Sequence, residues 1–152
     1  MATNNKLDKM FGPAGTSAGI FLFVAGLIIC WFSFVGLIIV TVGAFIGFTS
    51  TSTLIDFEKR RLKLSTNIFG IFPIGEWILI QPDMKMGIKK SNKAWRSYSQ
   101  SNRTLTIANN DYRLILYGSN GKEIMPIHKS DNLDSAKLTL DKFSKQLGIT
   151  VI

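Results

Sequence analysis

Charged residues are missing from a long part of this chain. No Asp, Glu, Lys, Arg or His occurs between Lys9 and Asp56, although the whole chain has 18 basic and 10 acidic residues and a formal net charge of +8. Phe, Ile, Val, Leu and Gly fill most of that stretch. Because a bilayer excludes charge and a soluble domain needs polar surface, the sequence predicts a segment embedded in a membrane.

Cysteine and histidine are almost absent as well. The single cysteine, Cys30, lies inside the apolar stretch, so a disulfide framework is excluded and no extracellular compartment is implied. His128 is the only histidine, which excludes a histidine pair for a metal ion. No glycine-rich loop matches a phosphate-binding pattern. We therefore expect no enzyme activity, no catalytic residue, no metal and no cofactor.

The apolar stretch is too long for one membrane span. A hydrocarbon core of about 30 Å needs about 20 helical residues, so the sequence predicts a hairpin of two short helices, roughly 15–30 and 34–49. The break is expected at Trp31, Phe32 and Ser33, where aromatic rings suit the interface. A signal peptide is the alternative for the first span, because Lys6 and Lys9 resemble its basic region, but no small-residue cleavage site follows.

Glycines recur on one face of each predicted span. Two pairs, at 15 and 19 and at 43 and 47, have the small-x-x-x-small spacing that allows close helix contact. The two spans could pack on each other, or either face could dock on a separate protein. The candidate helix-packing residues are Gly15, Gly19, Gly26, Gly36, Gly43 and Gly47.

Basic residues flank the hairpin on both sides. Lys6 and Lys9 precede it, and a basic run follows it, whereas the predicted apex has no charge. The positive-inside rule then places both termini in the cytoplasm, as in a multi-pass protein of the bacterial inner membrane. The run that could set topology and contact lipid head groups consists of Lys59, Arg60, Arg61 and Lys63.

Alternating polar and apolar residues after residue 53 predict strands. The pattern from Thr53 to Ser65 is typical of an antiparallel hairpin, and further strands are expected at 76–81, 84–90, 94–99, 103–108, 112–117 and 122–128. Asn120 and Gly121 form a strong hairpin signal. Apolar residues from Leu133 to Leu147 then recur every three or four positions, which predicts a C-terminal amphipathic helix with Asp131 as N-cap and Gly148 as its end.

This order of elements resembles a family, the membrane-anchored bacterial pleckstrin-homology-like (PH-like) domains. The residues that carry the resemblance are 55–63, Phe69-Gly70, Gly75-Glu76-Trp77, 112–117 with the Asn120-Gly121 turn, and the helix at 140–148. The resemblance implies a transmembrane hairpin followed by an α+β domain, in which a curled antiparallel sheet of about seven strands is capped by the terminal helix. The implied divisions are a cytoplasmic segment at 1–14, the hairpin at 15–50 and the PH-like domain at 51–152.

A second basic region lies inside the expected domain. Cations and rings alternate there, which can indicate nucleic acid, anionic phospholipid or merely a solvated strand edge protected by lysine. Nucleic acid is the weakest of the three, because the domain is expected beside a membrane. The candidate binding face comprises Lys85, Lys89, Lys90, Lys93, Trp95 and Arg96.

The expected function is interaction rather than chemistry. The leading hypothesis is an accessory or scaffold subunit of an inner-membrane complex, docked on a membrane protein or on copies of itself. The alternative is a sensor or adaptor that binds anionic lipid or a cytoplasmic ligand through the basic face. The apolar loop from Phe69 to Trp77 could be core, a partner site or a wedge that enters the membrane.

Overall fold

The computed structural model describes the backbone of residues 2–98 and 104–152 and the side chains of residues 3–92 and 110–152. This part of the chain contains three helices and nine strands. The helices are α1 (Gly12–Cys30), α2 (Val35–Phe48) and α3 (Leu133–Leu147). The strands are β1 (Ala2–Lys9), β2 (Ser50–Asp56), β3 (Arg61–Ile68), β4 (Phe72–Ile74), β5 (Trp77–Leu79), β6 (Lys85–Tyr98), β7 (Thr104–Tyr117), β8 (Glu123–Ser130) and β9 (Thr150–Val151).

The chain divides into two compact units. The helix unit consists of Asp8–Thr51 and Ser65–Ile74, and it contains α1, α2 and β4. The sheet unit consists of Met1–Leu7, Ser52–Leu64 and Gly75–Ile152, and it contains α3 and the second sheet. Strands β1, β2 and β3 each contribute residues to both units.

The strands form two sheets, so the prediction of one curled sheet of about seven strands is wrong. The order in the first sheet is β1-β2-β3-β4, and β5 also pairs with β3. The second sheet has the order β8-β7-β6-β9. Besides β2, strand β3 has two further partners, because its first residues pair with β5, Arg61 opposite Leu79, and its last residues pair with β4, Ile68 opposite Phe72.

Two strands are longer than the sequence predicted. The expected strands 84–90 and 94–99 belong to the single strand β6, and those at 103–108 and 112–117 belong to β7 as far as the described residues reach. The predicted strands left out residues 91–93, but the backbone of Asn92 pairs in register with that of Asn110, and both lie in polar runs. Strand ladders use main-chain groups, so polarity alone does not end a strand.

Strand β1 was not predicted. Its sequence has one large apolar residue, Leu7, and no alternating pattern, so only pairing with a distant strand reveals it. The side chain of Thr51 on β2 donates a hydrogen bond to the backbone oxygen of Asp8 at 3.3 Å. This contact lies within the helix unit.

The core of the sheet unit lies between its sheets and α3. Ile55 and Leu62 from the first sheet meet Met86, Leu114 and Ile127 from the second, all fully buried. Strand β2 is tied to β8 by a 2.7 Å hydrogen bond from the Thr53 hydroxyl to the Pro126 oxygen. The helix residues that complete this core are Ala136, Leu140, Phe143 and Leu147.

Helix α3 confirms the predicted amphipathic helix with two corrections. Its N-cap is Asn132, whose side-chain oxygen accepts from the backbone N–H of Ser135 at 2.8 Å, and not Asp131. Leu133, expected on the buried stripe, is exposed in the first turn. Gly148 ends the helix with φ +64°, the left-handed conformation that glycine adopts most easily.

Candidate functional site

The two N-terminal helices pack through glycine. A Cβ added at Gly19 would lie 2.8 Å from the Cα of Gly47, and one added at Gly43 would lie 2.8 Å from the Cα of Phe23. Such distances leave no room for a side chain. The backbones of α1 and α2 therefore touch directly, as in small-residue helix interfaces of membranes.

The same contact extends toward the end of α1. A Cβ at Gly26 would lie 2.6 Å from the Val40 backbone nitrogen, and one at Gly36 would lie 2.6 Å from the Cα of Cys30. Five of the six predicted helix-packing glycines thus face the other helix. Gly15 does not face α2. A Cβ added at Gly15 would lie 2.8 Å from the Cβ of Phe11, the residue that precedes α1.

The outward surface of the helix pair is apolar. Between the helices, α1 ends at Cys30 and α2 begins at Val35, with Ser33 Oγ accepting from the Val35 N–H at 3.3 Å. The aromatic side chains of this turn, Trp31, Phe32 and Phe34, are exposed. The other exposed large side chains include Phe21, Val24, Leu27, Ile28, Leu37, Ile38 and Val42.

The helices differ in length. Helix α1 has 19 residues and a mean hydropathy of 1.9, and among the described residues it is the one helix long and apolar enough to cross a membrane. Helix α2 is equally uncharged but has 14 residues. At 1.5 Å per residue the helices are about 28 and 21 Å long, against a hydrocarbon core of about 30 Å.

A β-turn also belongs to the helix unit. The residues Phe69–Ile74, which we call the β3–β4 tip, contact the base of the helix pair. The ring of Phe69 packs edge-on against Phe45, 6.0 Å between centroids, and Phe45 packs likewise against Phe11 at 5.7 Å. Of the predicted apolar loop 69–77, the side chains of Ile71, Phe72 and Ile74 are exposed rather than core.

The basic run after the helices has structural contacts within the sheet unit. Arg60 donates from Nη2 to the backbone oxygen of Leu147 at 2.6 Å, which satisfies a carbonyl at the end of α3. Arg61 lies over the ring of Trp77, 4.3 Å from its centroid, and Lys63 lies 5.9 Å from the same ring. Lys59 is exposed and donates its backbone N–H to Asp56 at 3.2 Å.

Asp56 holds the turn between β2 and β3. Its carboxylate accepts from Arg61 Nε at 3.0 Å as well as from the Lys59 backbone. Burial of the carboxyl acts to raise the pKa of Asp56, but the hydrogen bonds from Lys59 and Arg61 outweigh it and lower that pKa. The turn between β2 and β3 is therefore a corner held by an ion pair and a backbone hydrogen bond.

The second basic region lies on β6. Lys85, Lys89 and Lys90 are exposed, whereas the side chains of Lys93, Trp95 and Arg96 lie outside the described residues. Lys89 forms an ion pair with Glu123 on β8, and the hydrogen bond in this pair raises the pKa of Lys89. Part of the positive charge expected on this face is thus neutralised by a neighbouring carboxylate.

An open cleft of about 370 Å³ lies beside this ion pair. Its walls include Lys89, Lys90 and Arg113, together with Glu123 and Pro126. Arg113 also donates from Nε to the buried carboxylate of Asp111 at 2.7 Å. Sequence reasoning missed this pair, although the two residues stand two apart on one strand face, the spacing that allows such a contact.

His128 and Cys30 lie in different parts of the fold, on β8 and at the end of α1. The half-buried His128 ring packs edge-on against Phe143, 6.1 Å between centroids, and burial lowers its pKa. Its Nδ1 atom is buried and has no hydrogen-bond partner. Cys30 is at the end of α1. Among the described residues, no group of three or more His, Cys, Asp or Glu side chains is placed to hold a metal ion.

No family model matches this chain, and neither curated proteins nor solved structures include a significant match to it.

Proposed function

We propose that this chain is a non-enzymatic, membrane-anchored interaction module of the bacterial inner membrane, an accessory or scaffold subunit of a larger complex. In this proposal α1 and α2 cross the bilayer as a hairpin, and the sheet unit lies on the cytoplasmic side. The observation that carries it is the helix pair, whose inner contact consists of glycine backbone while its outer surface consists of exposed apolar side chains.

That arrangement favours lipid over water as the surroundings of the helices. In a soluble protein, the large side chains of a helix pair pack inward and small residues are spread over both faces. Here Phe21, Ile28 and Ile38 point outward, and no charged residue occurs anywhere in α1 or α2. An exposed apolar surface of this kind is typical of a membrane or protein contact.

The charges beside the helices support the orientation. Lys6 and Lys9 precede α1 and four basic residues follow α2 within the next fifteen, whereas the turn between the helices has none. Positive residues are retained on the cytoplasmic side during insertion. Arg60 contacts a backbone carbonyl and not a carboxylate, whereas Arg61 forms an ion pair with Asp56.

We also propose that the sheet unit is related to PH-like domains, although its strands form two sheets and not one. The support for this is that residues of two mostly antiparallel sheets share a core, and that the amphipathic helix α3 contributes to the same core. Two basic side chains of the cleft have carboxylate partners, Lys89 with Glu123 and Arg113 with Asp111, and such ion pairs are typical of a structural surface. Interaction is therefore the proposed role of this unit as well.

The proposal is tested by purifying the tagged chain from its native membrane in mild detergent and identifying co-purified proteins by mass spectrometry. A variant with Phe21→Ala and Ile28→Ala, seven residues apart on one outward face of α1, stays apolar enough for lipid but loses the shape a partner would recognise. Leu138→Ala, an exposed position on α3, is the matched control.

We expect a stoichiometric set of membrane proteins with the wild type and the control, reduced at least several-fold with the double variant. If only this chain and phospholipid are recovered from wild-type membranes, the subunit proposal is wrong. If the double variant keeps the same partner proteins, this face of α1 is not the docking surface.

A further inference from the structure

The β3–β4 tip is fixed against the helix pair by an unusual turn. Phe69 has φ +54° and Gly70 has φ +72°, and the Ile71 N–H donates to the Ile68 oxygen at 3.2 Å. Positive φ at both central residues is characteristic of a type I′ turn, in which Phe is an uncommon occupant. The Phe69 ring lies on Phe45 of α2, a contact that favours this conformation.

The turn directs the next apolar side chains away from the protein. Ile71 is 73% exposed, Phe72 is 60% exposed and Ile74 is 59% exposed. The sequence from Ile68 to Gly75 contains no charged or hydrophilic residue. A tight turn on a soluble surface is normally built from Gly, Asn, Asp or Ser, so this composition indicates an apolar environment.

The tip lies at the C-terminal end of α2, a helix that is shorter than the hydrocarbon core is thick. A Cβ on Gly70 would lie 3.3 Å from the backbone oxygen of Phe48, the last residue of α2. With a length of about 21 Å, α2 falls about 9 Å short of a hydrocarbon core of about 30 Å. Beyond Phe48 its own chain turns polar at Thr49, Ser50 and Thr51, so the tip provides the apolar surface that α2 lacks at this end.

We propose that the β3–β4 tip inserts Ile71, Phe72 and Ile74 among the lipid acyl chains of the cytoplasmic leaflet, beside the C-terminal end of α2, and completes the short second span. This inference rests on the proposed membrane hairpin. The occupant is lipid because the exposed side chains of the tip continue the outward apolar surface of the helix pair within the same compact unit. Aromatic and aliphatic side chains enter this boundary region readily.

The test measures the depth of single spin labels in the full chain, reconstituted into vesicles of phosphatidylethanolamine and phosphatidylglycerol. In a Cys30→Ser background, cysteine is introduced by Phe72→Cys at the tip, by Ile38→Cys on the outward face of α2, and by Leu138→Cys on α3. All three positions are exposed apolar residues, 60%, 67% and 72% respectively. Collision of each label with oxygen and with a water-soluble nickel complex then reports whether it lies in lipid or in water.

We expect an oxygen-to-nickel accessibility ratio at position 72 that is several-fold above the ratio at 138 and approaches that at 38. If the accessibility ratio at 72 equals that at 138 while the label at 38 is in lipid, the tip proposal is wrong and the proposed membrane hairpin stands. Low access of both reagents at 72 would mean that protein covers the tip, and this also overturns it. If the label at 38 is in water, the proposed function fails first. Should Phe72→Cys not fold, Ile71→Cys gives the same readout.

Discussion

Individual polar residues in this molecule mostly stabilise backbone ends and turns. Arg60 reaches a carbonyl at the end of α3, and Asp56 holds the corner between β2 and β3. A basic residue such as Arg60, in a run that follows two apolar helices, is equally typical of a topology signal or a lipid site. The contacts indicate that a residue such as Arg60 can serve topology through its charge and the fold through its hydrogen bond.

His128 gives the residue-scale prediction. Burial lowers its pKa in the folded protein, so below the usual histidine pKa of about 6.5 the unfolded chain binds a proton more readily than the folded chain does. The stability that neutral His128 contributes is therefore complete above that pH and is lost as the pH falls toward the lowered pKa.

Chemical denaturation of the full chain in detergent, repeated from pH 7.5 down to about pH 5, measures this loss. The His128→Gln variant cannot titrate there and should lose less stability over the same interval. Equal pH dependence in both proteins would show that His128 is not the group responsible.

At the scale of single elements, the N-cap of α3 is a position at which the sequence pattern and the observed structure differ. The pattern favours Asp131 as N-cap, whereas the observed cap is Asn132 with its 2.8 Å hydrogen bond to the Ser135 N–H. We expect Asn132→Ala to lower the free energy of unfolding by about 1 kcal/mol, and Asp131→Ala by clearly less. Thermal unfolding followed by circular dichroism compares the two. A larger loss for Asp131→Ala would contradict the assigned cap.

The helix pair gives a second prediction at this scale. Gly43→Leu places a side chain where the Cα of Phe23 is only 2.8 Å away, so α1 and α2 must separate. We expect a loss of about 1–3 kcal/mol or more in stability, measured by thermal unfolding in detergent micelles. Val42→Leu, one residue earlier on the outward face, is the control and should change little. Similar losses for both variants would contradict the observed packing face.

Elements with strong local patterns were predictable, and those that depend on distant partners were not. The apolar periodicity of α3 and the aromatic break between α1 and α2 are both local signals. Strand β1 has no such signal, and the length of β6 depends on the register of β7. The buried Arg113 and Asp111 pair was missed because its burial depends on packing that spacing alone does not reveal.

For the whole molecule, the sequence predicted a charge-free helical segment followed by antiparallel strands and a final helix, and those features are present. It did not predict that the β3–β4 tip belongs to the same compact unit as the helices. The apolar composition of 69–77 was compatible with a core, a partner site or a membrane wedge, and only the fold shows which residues the tip contacts. The functional proposal depends on this unit more than on any single residue.

The central claim is that the helix pair crosses the membrane and returns. In a Cys30→Ser background, single cysteines introduced by Ser33→Cys, between the helices, and by Ser119→Cys, in the exposed turn before β8, are treated with a membrane-impermeant maleimide. Inside-out and right-side-out vesicles are compared. We predict labelling of position 119 only from the cytoplasmic side and of position 33 only from the opposite side. Labelling of both positions from the same side would contradict the account.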